Sequence, residues 1–342
     1  MTAEALRPAR GRGRIATKNV AVAIWFLVIA CGPAPPTRPG PSSPAMSTGD
    51  DLSPPPGLVR LIVLTGPAEG LQLLRFADGT PSSLVLPLGR PAWVSGTSAL
   101  GLVLTERDGT IRVAAPFGTG SAVGPQPTWT TLRPRFASAV ALRNPLSFAT
   151  LSPDGSRVAA IADDPAAGNG PGQLVIIDRR DGRAMAIDLD ATTDGRPPSW
   201  IGADRILVPT RDANDRTDVT AVDPGTGTQS HWALETTAIA VAPAADVMAI
   251  QERSGGQVAV GSVDALANGT PAAVVDGTEP GAVAAQLMLD VSGSRLAIAW
   301  LDEAGDTTIL AVYGLAEGRW RPIRRDVLRR GTARAIIAGF DP

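Results

Sequence analysis

Residues 148–164, FATLSPDGSRVAAIADD, followed at 173–189 by QLVIIDRRDGRAMAIDL, decide the fold. The pair reads strand, Pro-Asp-Gly turn, strand, loop, strand, Asp-Gly turn, strand. Each apolar run is short, rich in Val, Ile, Leu and Ala, and closed by residues that accept the unusual dihedrals of a tight turn, which is the pattern of antiparallel hairpins. Four such strands in succession form a meander. From Leu58 onward no stretch shows convincing helical periodicity.

The unit recurs along the chain. Trp93-Val94-Ser95-Gly96 leads to LGLVLTE and TIRVAAPF; Trp200-Ile201-Gly202 leads to RILVPTRD and DVTAVD; Val241-Ala242-Pro243 leads to VMAIQER and QVAVGSVD. A fifth copy, LMLDVSGSRLAIAWLDE at 287–303, is followed by TTILAVYGLAEGRWRPI. Aligned on the first turn, the copies start near 95, 153, 202, 243 and 292. A repeat of about 50 residues with four strands in each unit points to an all-β propeller.

The two ends complete the pattern. The tail ARAIIAGFDP stops where Phe340-Asp341-Pro342 matches Leu151-Ser152-Pro153, so it supplies one innermost strand and nothing after it. Three N-terminal runs, LVRLIVL at 58–64, LQLLRFA at 71–77 and SLVLPL at 83–88, supply the missing partners. The expectation is six four-stranded blades over 57–342, one of them shared by the N- and C-terminal strands, which leaves no free sheet edge where the ring closes.

The phrase LSPDGSRVA at 151–159, with the weaker copy Val291-Ser292-Gly293-Ser294-Arg295-Leu296-Ala297, resembles the repeat core of the TolB-like, WD40-like propellers of the bacterial periplasm and cell surface. The resemblance spans roughly residues 58–342. It implies protein–protein scaffolding or ligand sensing in the envelope, and it carries over no catalytic residue. The phrase serves the turn, so it speaks for fold and is nearly silent on function.

The N-terminal segment reads as an address and a tether. Arg7, Arg10, Arg12, Arg14 and Lys18 precede VAVAIWFLVIA at 20–30, an apolar run too short to span a bilayer, which needs about 20 residues. Val28-Ile29-Ala30-Cys31 resembles the bacterial lipobox, in which the cysteine is acylated and becomes the mature N-terminus. Residues 1–30 are therefore expected to be a lipoprotein signal peptide and Cys31 the lipid attachment site. From Gly32 to Pro56 there are nine Pro, three Gly and six Ser or Thr. With so little to bury, the segment 31–56 reads as an extended tether, roughly 75 Å at full stretch at about 3.1 Å per residue. The expected localisation is extracytoplasmic, anchored to the bacterial membrane through Cys31.

Composition narrows the chemistry. One Cys in 342 residues excludes an internal disulfide, and Cys31 and His231 cannot build the usual Cys/His zinc sites. Any Ser-His-Asp device would have to use His231, which reads as a half-buried packing residue beside Trp232. With a net charge of −2 and Lys18 the only lysine, no basic surplus marks a nucleic-acid partner. No cofactor and no metal are expected, although RDANDRTD at 211–218 has a faint likeness to a calcium loop without its Gly turn and terminal Glu.

Candidate sites lie on loops. Glu106, Asp163, Asp212, Glu252 and Asp302 each stand at or just past the end of a second strand. With Asp108, Asp164, Asp215, Asp218, Glu303 and Asp306 they outnumber the nearby Arg107, Arg211, Arg216 and Arg253, so this face reads as negative. These acids either keep hairpin tips soluble or receive a basic partner or a cation. The insertion Thr119–Asn144, with Arg133, Arg135 and Arg143, is a basic exception on an acidic body and a candidate partner contact. Trp93, Trp200 and Phe148, near the starts of innermost strands, read as blade-to-blade packing. The resulting expectation is a monomeric, non-enzymatic module that binds an unidentified envelope protein. The alternative is a small propeller hydrolase or lactonase using a carboxylate-bound divalent cation at the channel mouth. Inward Asp, Glu and Asn on three or more innermost strands would favour the alternative.

Overall fold

The computed structural model describes residues 60–66, 72–77, 80–84, 91–97, 99–117, 127–138, 142, 144–162, 171–211, 217–234, 236–252, 256–270, 273–276, 283–301, 307–330 and 334–341. Residues 1–59, on which the expected signal peptide, Cys31 and the expected tether fall, lie outside them. The described part is an all-β propeller.

Strands β1 (Arg60–Gly66), β2 (Gln72–Ala77) and β3 (Thr80–Leu84) open the chain. The first blade follows as β4 (Pro91–Thr97), β5 (Gly101–Glu106), β6 (Ile111–Ala114) and β7 (Trp129–Leu132). A two-residue strand β8 (Arg135–Phe136) precedes the second blade: β9 (Leu146–Leu151), β10 (Arg157–Ala162), β11 (Gln173–Asp178) and β12 (Arg183–Asp188). The third blade holds β13 (Thr192–Thr193), β14 (Ser199–Ile201), β15 (Arg205–Arg211), β16 (Thr217–Val222) and β17 (Gln229–Trp232). The fourth is β18 (Thr236–Val241), β19 (Met248–Glu252), β20 (Val258–Gly261) and β21 (Ala273–Val274). The fifth is β22 (Val283–Leu289), β23 (Arg295–Leu301), β24 (Thr307–Ala316) and β25 (Arg319–Arg330), and β26 (Arg334–Asp341) ends the chain.

Five blades are thus continuous stretches of sequence. The remaining sheet, in the order β26-β1-β2-β3, joins the two ends of the chain, with β26 antiparallel to β1. The innermost strands neighbour one another in turn: β4 beside β9, β9 beside β14, β14 beside β18, β18 beside β22, β22 beside β26, and β26 beside β4.

The core lies between sheets. Every residue of β5 is buried, and β10, β15 and β23 are buried along nearly their whole length. Both faces of these strands meet a neighbouring blade, so they read in sequence as unbroken apolar runs rather than alternating ones. Val103 and Val113 of the first blade cluster with Val158, Ala160 and Val175 of the second, and Leu207 of the third with Met248 and Ile250 of the fourth.

Three sequence expectations need correction. The third N-terminal strand begins at Thr80 rather than at residue 83, because Ala77 of β2 faces Thr80 directly; residues 85–88 lie outside the described ones. A helix does exist, α1 (Val263–Ala267), too short to leave a periodic trace. The Ser262 hydroxyl caps it by accepting the Ala265 N–H at 3.1 Å, and Val263 and Leu266 bury one side. The segment 119–144 is not one long free insertion either. Residues 129–132 are β7, the outer strand of the first blade, and β8 pairs in parallel with β12 at the outer edge of the second.

Candidate functional site

An irregularity common to the innermost strands shapes the centre. In β4, β9, β18, β22 and β26 one extra residue, or two opposite one, breaks the ladder: Ala92, Phe148-Ala149, Thr237, Ala285 and Ala338. Such bulges leave a backbone group without its strand partner. Side chains from the neighbouring blade take it up. Thr105 Oγ1 accepts the Ala149 N–H at 3.0 Å, Gln251 Oε1 accepts the Ala284 N–H at 2.9 Å, and Gln286 Oε1 accepts the Ile337 N–H at 2.8 Å. At Phe148 the backbone takes φ +52°, and its ring meets Trp93 edge-on at 5.6 Å between centroids.

The third blade departs from this pattern. Its inner strand is split: β13 pairs with Thr210 and Arg211, β14 with Arg205, Ile206 and Leu207, and the five residues 194–198 between them leave the sheet. The cause is legible in the chain. Pro209 sits inside β15 and has no N–H to give a partner strand, and its carbonyl accepts the Asp194 N–H at 3.2 Å. Pro197 and Pro198 cannot donate to a ladder either, and Gly195 at φ +75° turns the chain outward. The excursion carries Arg196, Pro197 and Pro198 into the wall of the central cavity.

That cavity encloses about 200 Å³ and is bounded by residues of all the innermost strands, among them Trp93, Thr150, Trp200, Ile239, Leu287 and Ile336. Its lining is mostly apolar. Trp200 is fixed by its indole N–H, which donates to the Thr150 carbonyl at 3.4 Å, and by the Arg157 guanidinium 5.0 Å from its ring centroid. Arg196 is held by Asp194, whose Oδ2 accepts from Nε and pairs with Nη2. Arg196 Nη1, Asp194 Oδ1, Trp93 Nε1 and Thr150 Oγ1 are buried without a hydrogen-bond partner, while Arg196 Nη2 has only its ion pair with Asp194. Gln286, which also borders the cavity, is satisfied on both ends of its amide by Ile337. Among the described residues no three His, Cys, Asp or Glu side chains gather as a metal site.

The candidate loops fare unevenly. Glu106 ends β5, but it is 7% exposed and its carboxylate accepts from Arg112 Nε on the next strand, so its charge is matched within the blade rather than offered to solvent. Glu252 ends β19, half-buried, with its backbone closing the hairpin to Gln257 and Gly256. Asp163, Asp212 and Asp302 lie outside the described residues, as do Asp164, Asp215, Arg143 and the centre of the RDANDRTD loop. Beside Glu106, turn bonds from Thr110 hold Asp108 below the usual carboxylate range. Arg133 and Arg135 are exposed, and the Arg135 N–H donates to the Gly182 carbonyl at 2.7 Å, which pins this segment to the second blade. They are not the sole basic exception: β25, RWRPIRRDVLRR, carries six arginines that the sequence reading passed over.

His231 is an exposed residue of the outer strand β17 rather than a half-buried one, while Trp232 turns to the core side. His231 Nδ1 lies 3.1 Å from the Thr220 hydroxyl, itself 3.1 Å from Thr210 Oγ1. Both threonines are fully buried, so this Thr-Thr-His chain offers no nucleophile to a substrate. Trp93, Phe148 and Trp200 do pack blade against blade. The sequence reading missed Arg196; the signal was the Pro197-Pro198 pair facing Pro209 inside a strand.

The architecture defines the class, a β-propeller. Compared with known protein families and with curated proteins, the sequence matches none. Among solved structures it is similar to TolB from Acinetobacter baumannii, with a TM-score of 0.55 and 15% identity over 82% of this chain and 67% of that one. A Myceliophteria thermophila Cps50 (Swd1) β-propeller domain aligns at a TM-score of 0.47 with 10% identity, covering 79% of this chain and 87% of that one. A Lactobacillus plantarum protein aligns at 0.47 with 15% identity, covering 78% and 82%. At these identities the likeness to TolB concerns the fold.

Proposed function

We propose that this chain is a cell-envelope lipoprotein whose propeller, tethered through Cys31, is a non-enzymatic module that binds a protein partner. The observation that carries the reading is the makeup of the innermost strands. β4, β9, β13–β14, β18, β22 and β26 contain no Asp, Glu or Asn apart from Asp341 at the chain end. A hydrolase or lactonase working through a carboxylate-bound cation needs several such groups facing the channel, which leaves that alternative with little support. In this reading the sheet shared by both ends counts as a sixth blade beside the five continuous ones, and the module works as a monomer. The partner face in this reading is the one formed by the loops after the second strands; Arg133 and Arg135, tied to the turn at Gly182 between the third and fourth strands, belong to the opposite rim.

Crosslinking and capture from membranes, wild type against Cys31→Ala, tests the proposal. The tethered form should capture a defined partner, and capture should weaken with salt if Glu252 and the acids at 163, 212 and 302 take part. Capture indifferent to salt would remove the acidic face. Processing that globomycin does not inhibit would remove the lipid anchor.

A further inference from the structure

The outer hairpin of the fifth blade is unlike those of the other continuous blades. β24 has 10 residues and β25 has 12, where the third strands of the first four blades have 4–6 and their outer strands 2–6. Pairing with β23 ends at Gly314 opposite Arg295, but β24 and β25 continue through Leu315 opposite Trp320 and Ala316 opposite Arg319. The tip therefore stands out beyond the blade's own second strand. Trp320, 2% exposed, is set into the core cluster of the fourth and fifth blades and anchors the hairpin there.

The charge of this hairpin runs against that of the chain. Residues 315–330 hold six arginines against Glu317 and Asp326, in a chain of net charge −2. Arg319, Arg321 and Arg325 are exposed, and Glu317 meets Arg321 at 3.5 Å in an exposed pair that holds it only weakly. Among the described residues five large apolar side chains are exposed, and two of them, Leu315 at 46% and Ile323 at 39%, belong to this hairpin. A third, Val274, is on β21, which neighbours β25. Arginines beside exposed aliphatic side chains suit an anionic lipid surface, where the guanidinium groups meet phosphate and the aliphatic groups enter the acyl boundary.

Other occupants fit less well. A second copy would set the same arginines against these. An acidic peptide adds to a bare strand edge, and β25 is a poor one: Pro322 has no N–H, and bulges at Ile323 and Leu328 break the strand. Headgroups need only a projecting basic tip. The path of the chain agrees. Arg60 begins β1 opposite Asp341, at the rim where the inner strands end. The turn 316–319 joins a third strand to a fourth, so it lies on that same rim, in the blade whose inner strand β22 neighbours β26.

We propose that the β24–β25 hairpin docks the propeller on anionic phospholipid headgroups, with Arg319 and Arg321 meeting phosphates, Arg325 behind them, and Leu315 and Ile323 entering the boundary. The proposal rests on the membrane-tethered reading above for the bilayer it meets. This rim is opposite to the loops after the second strands, which docking leaves open to a partner.

The test uses the full-length Cys31→Ala chain, in which no cysteine remains, carrying a single environment-sensitive fluorophore through Leu315→Cys or, on the second blade, through the exposed Met185→Cys. The acyl chain plays no part in this assay, so failure of the lipid anchor, read from globomycin, is a separate result. The basic N-terminal segment is present in every variant, so its own attraction to vesicles cancels in the comparisons. Vesicles of phosphatidylglycerol and phosphatidylcholine in equal parts should move the emission of the probe at 315 to shorter wavelength. Phosphatidylcholine alone should not, and the probe at 185 should stay unchanged in both. In Arg319→Gln/Arg321→Gln the lipid needed for half the shift should rise about tenfold or more, with thermal unfolding confirming the fold. No shift with either vesicle, equal responses of the two probes, a shift in phosphatidylcholine alone, or a shift that survives the glutamine pair would overturn the proposal. So would polyglutamate acting as strongly as the vesicles, the mark of an acidic-peptide site.

Discussion

Gln251 Oε1 on β19 accepts the backbone N–H of Ala284 on β22 at 2.9 Å, across the seam between the fourth and fifth blades. The same side chain accepts the Thr237 hydroxyl at 2.7 Å and donates to the Gly256 carbonyl at 3.1 Å. Ala284 stands beside the bulge of β22, where the ladder fails to supply a partner. The bulge and the glutamine therefore belong to one device: the first frees a backbone group and the second carries it to the next blade. Gln251→Leu keeps the volume and removes the amide. It should cost about 2–3 kcal/mol, the price of a buried N–H left unmade together with the lost bonds. Urea unfolding gives the number; a loss below about 0.5 kcal/mol would show that the seam does not depend on this bond.

On the opposite rim, Arg179 ties the second blade to the first. Its Nη1 donates to the Leu100 carbonyl at 2.6 Å and to Gly155 at 3.3 Å, and Nη2 donates to the Ala114 carbonyl. Burial lowers its pKa from the usual arginine value, but the charge survives because three carbonyls share it. Arg179→Lys keeps the charge and loses the planar fork, so it cannot serve two blades at once. Both Arg179→Lys and Arg179→Leu should destabilise, by about 1–2 and 2–3 kcal/mol respectively. Chemical denaturation of the pair checks the order; equal losses would mean that charge, not geometry, holds the contact.

Close approach of inner strands makes a third point. A Cβ on Gly339 of β26 would lie 2.4 Å from the Gly96 carbonyl oxygen of β4, a backbone atom that cannot step aside cheaply. Gly202 has φ +55° and nothing within 4 Å of an added Cβ, so alanine there meets backbone strain alone. Gly339→Ala should cost about 2–3 kcal/mol by overpacking and Gly202→Ala about 1 kcal/mol. Thermal unfolding of the two variants separates steric crowding from dihedral strain, and a reversed order would contradict the geometry.

What the sequence disclosed follows from what each feature is made of. The strands and their turns were legible because 151–159 and its copies combine buried apolar runs with Asp and Gly at fixed offsets. Pairing of the two chain ends was legible because Phe340-Asp341 breaks off in mid-unit. The bulges were not, since an extra Ala92, Ala285 or Ala338 within an apolar strand looks like its neighbours. Glu106 looks in sequence like a surface acid because its mate, Arg112, is on the next strand in a register that only the fold fixes. Arg196 was passed over because its place in the cavity depends on a break in β13–β14 set by Pro209, some ten residues further along.

The repeat phrase itself has a pH signature. In the Pro-Asp-Gly turn Asp154 Oδ1 accepts the Ser152 hydroxyl at 2.6 Å and the Ser156 N–H at 3.0 Å, while Oδ2 accepts the Ser156 hydroxyl at 2.7 Å. These bonds, the Ser152 hydroxyl foremost, lower its pKa from 3.8 to about 2. The folded state therefore binds the proton less readily than the unfolded chain does. The turn's contribution is complete above the unfolded value near 4 and disappears as pH falls through about 2. Asp223, bonded by the Gly225 and Thr226 N–H groups, and Asp181, bonded by the Arg183 N–H, shift in the same direction, so several hairpins weaken in one acid window. Because Asp154 is largely exposed, its share is a fraction of what the shift would be worth in the interior. Asp154→Asn should lower the unfolding temperature at pH 6, and the gap to wild type should narrow steadily between about pH 4 and pH 2. A gap that stayed constant across that window would show that the carboxylate's charge plays no part in holding the turn.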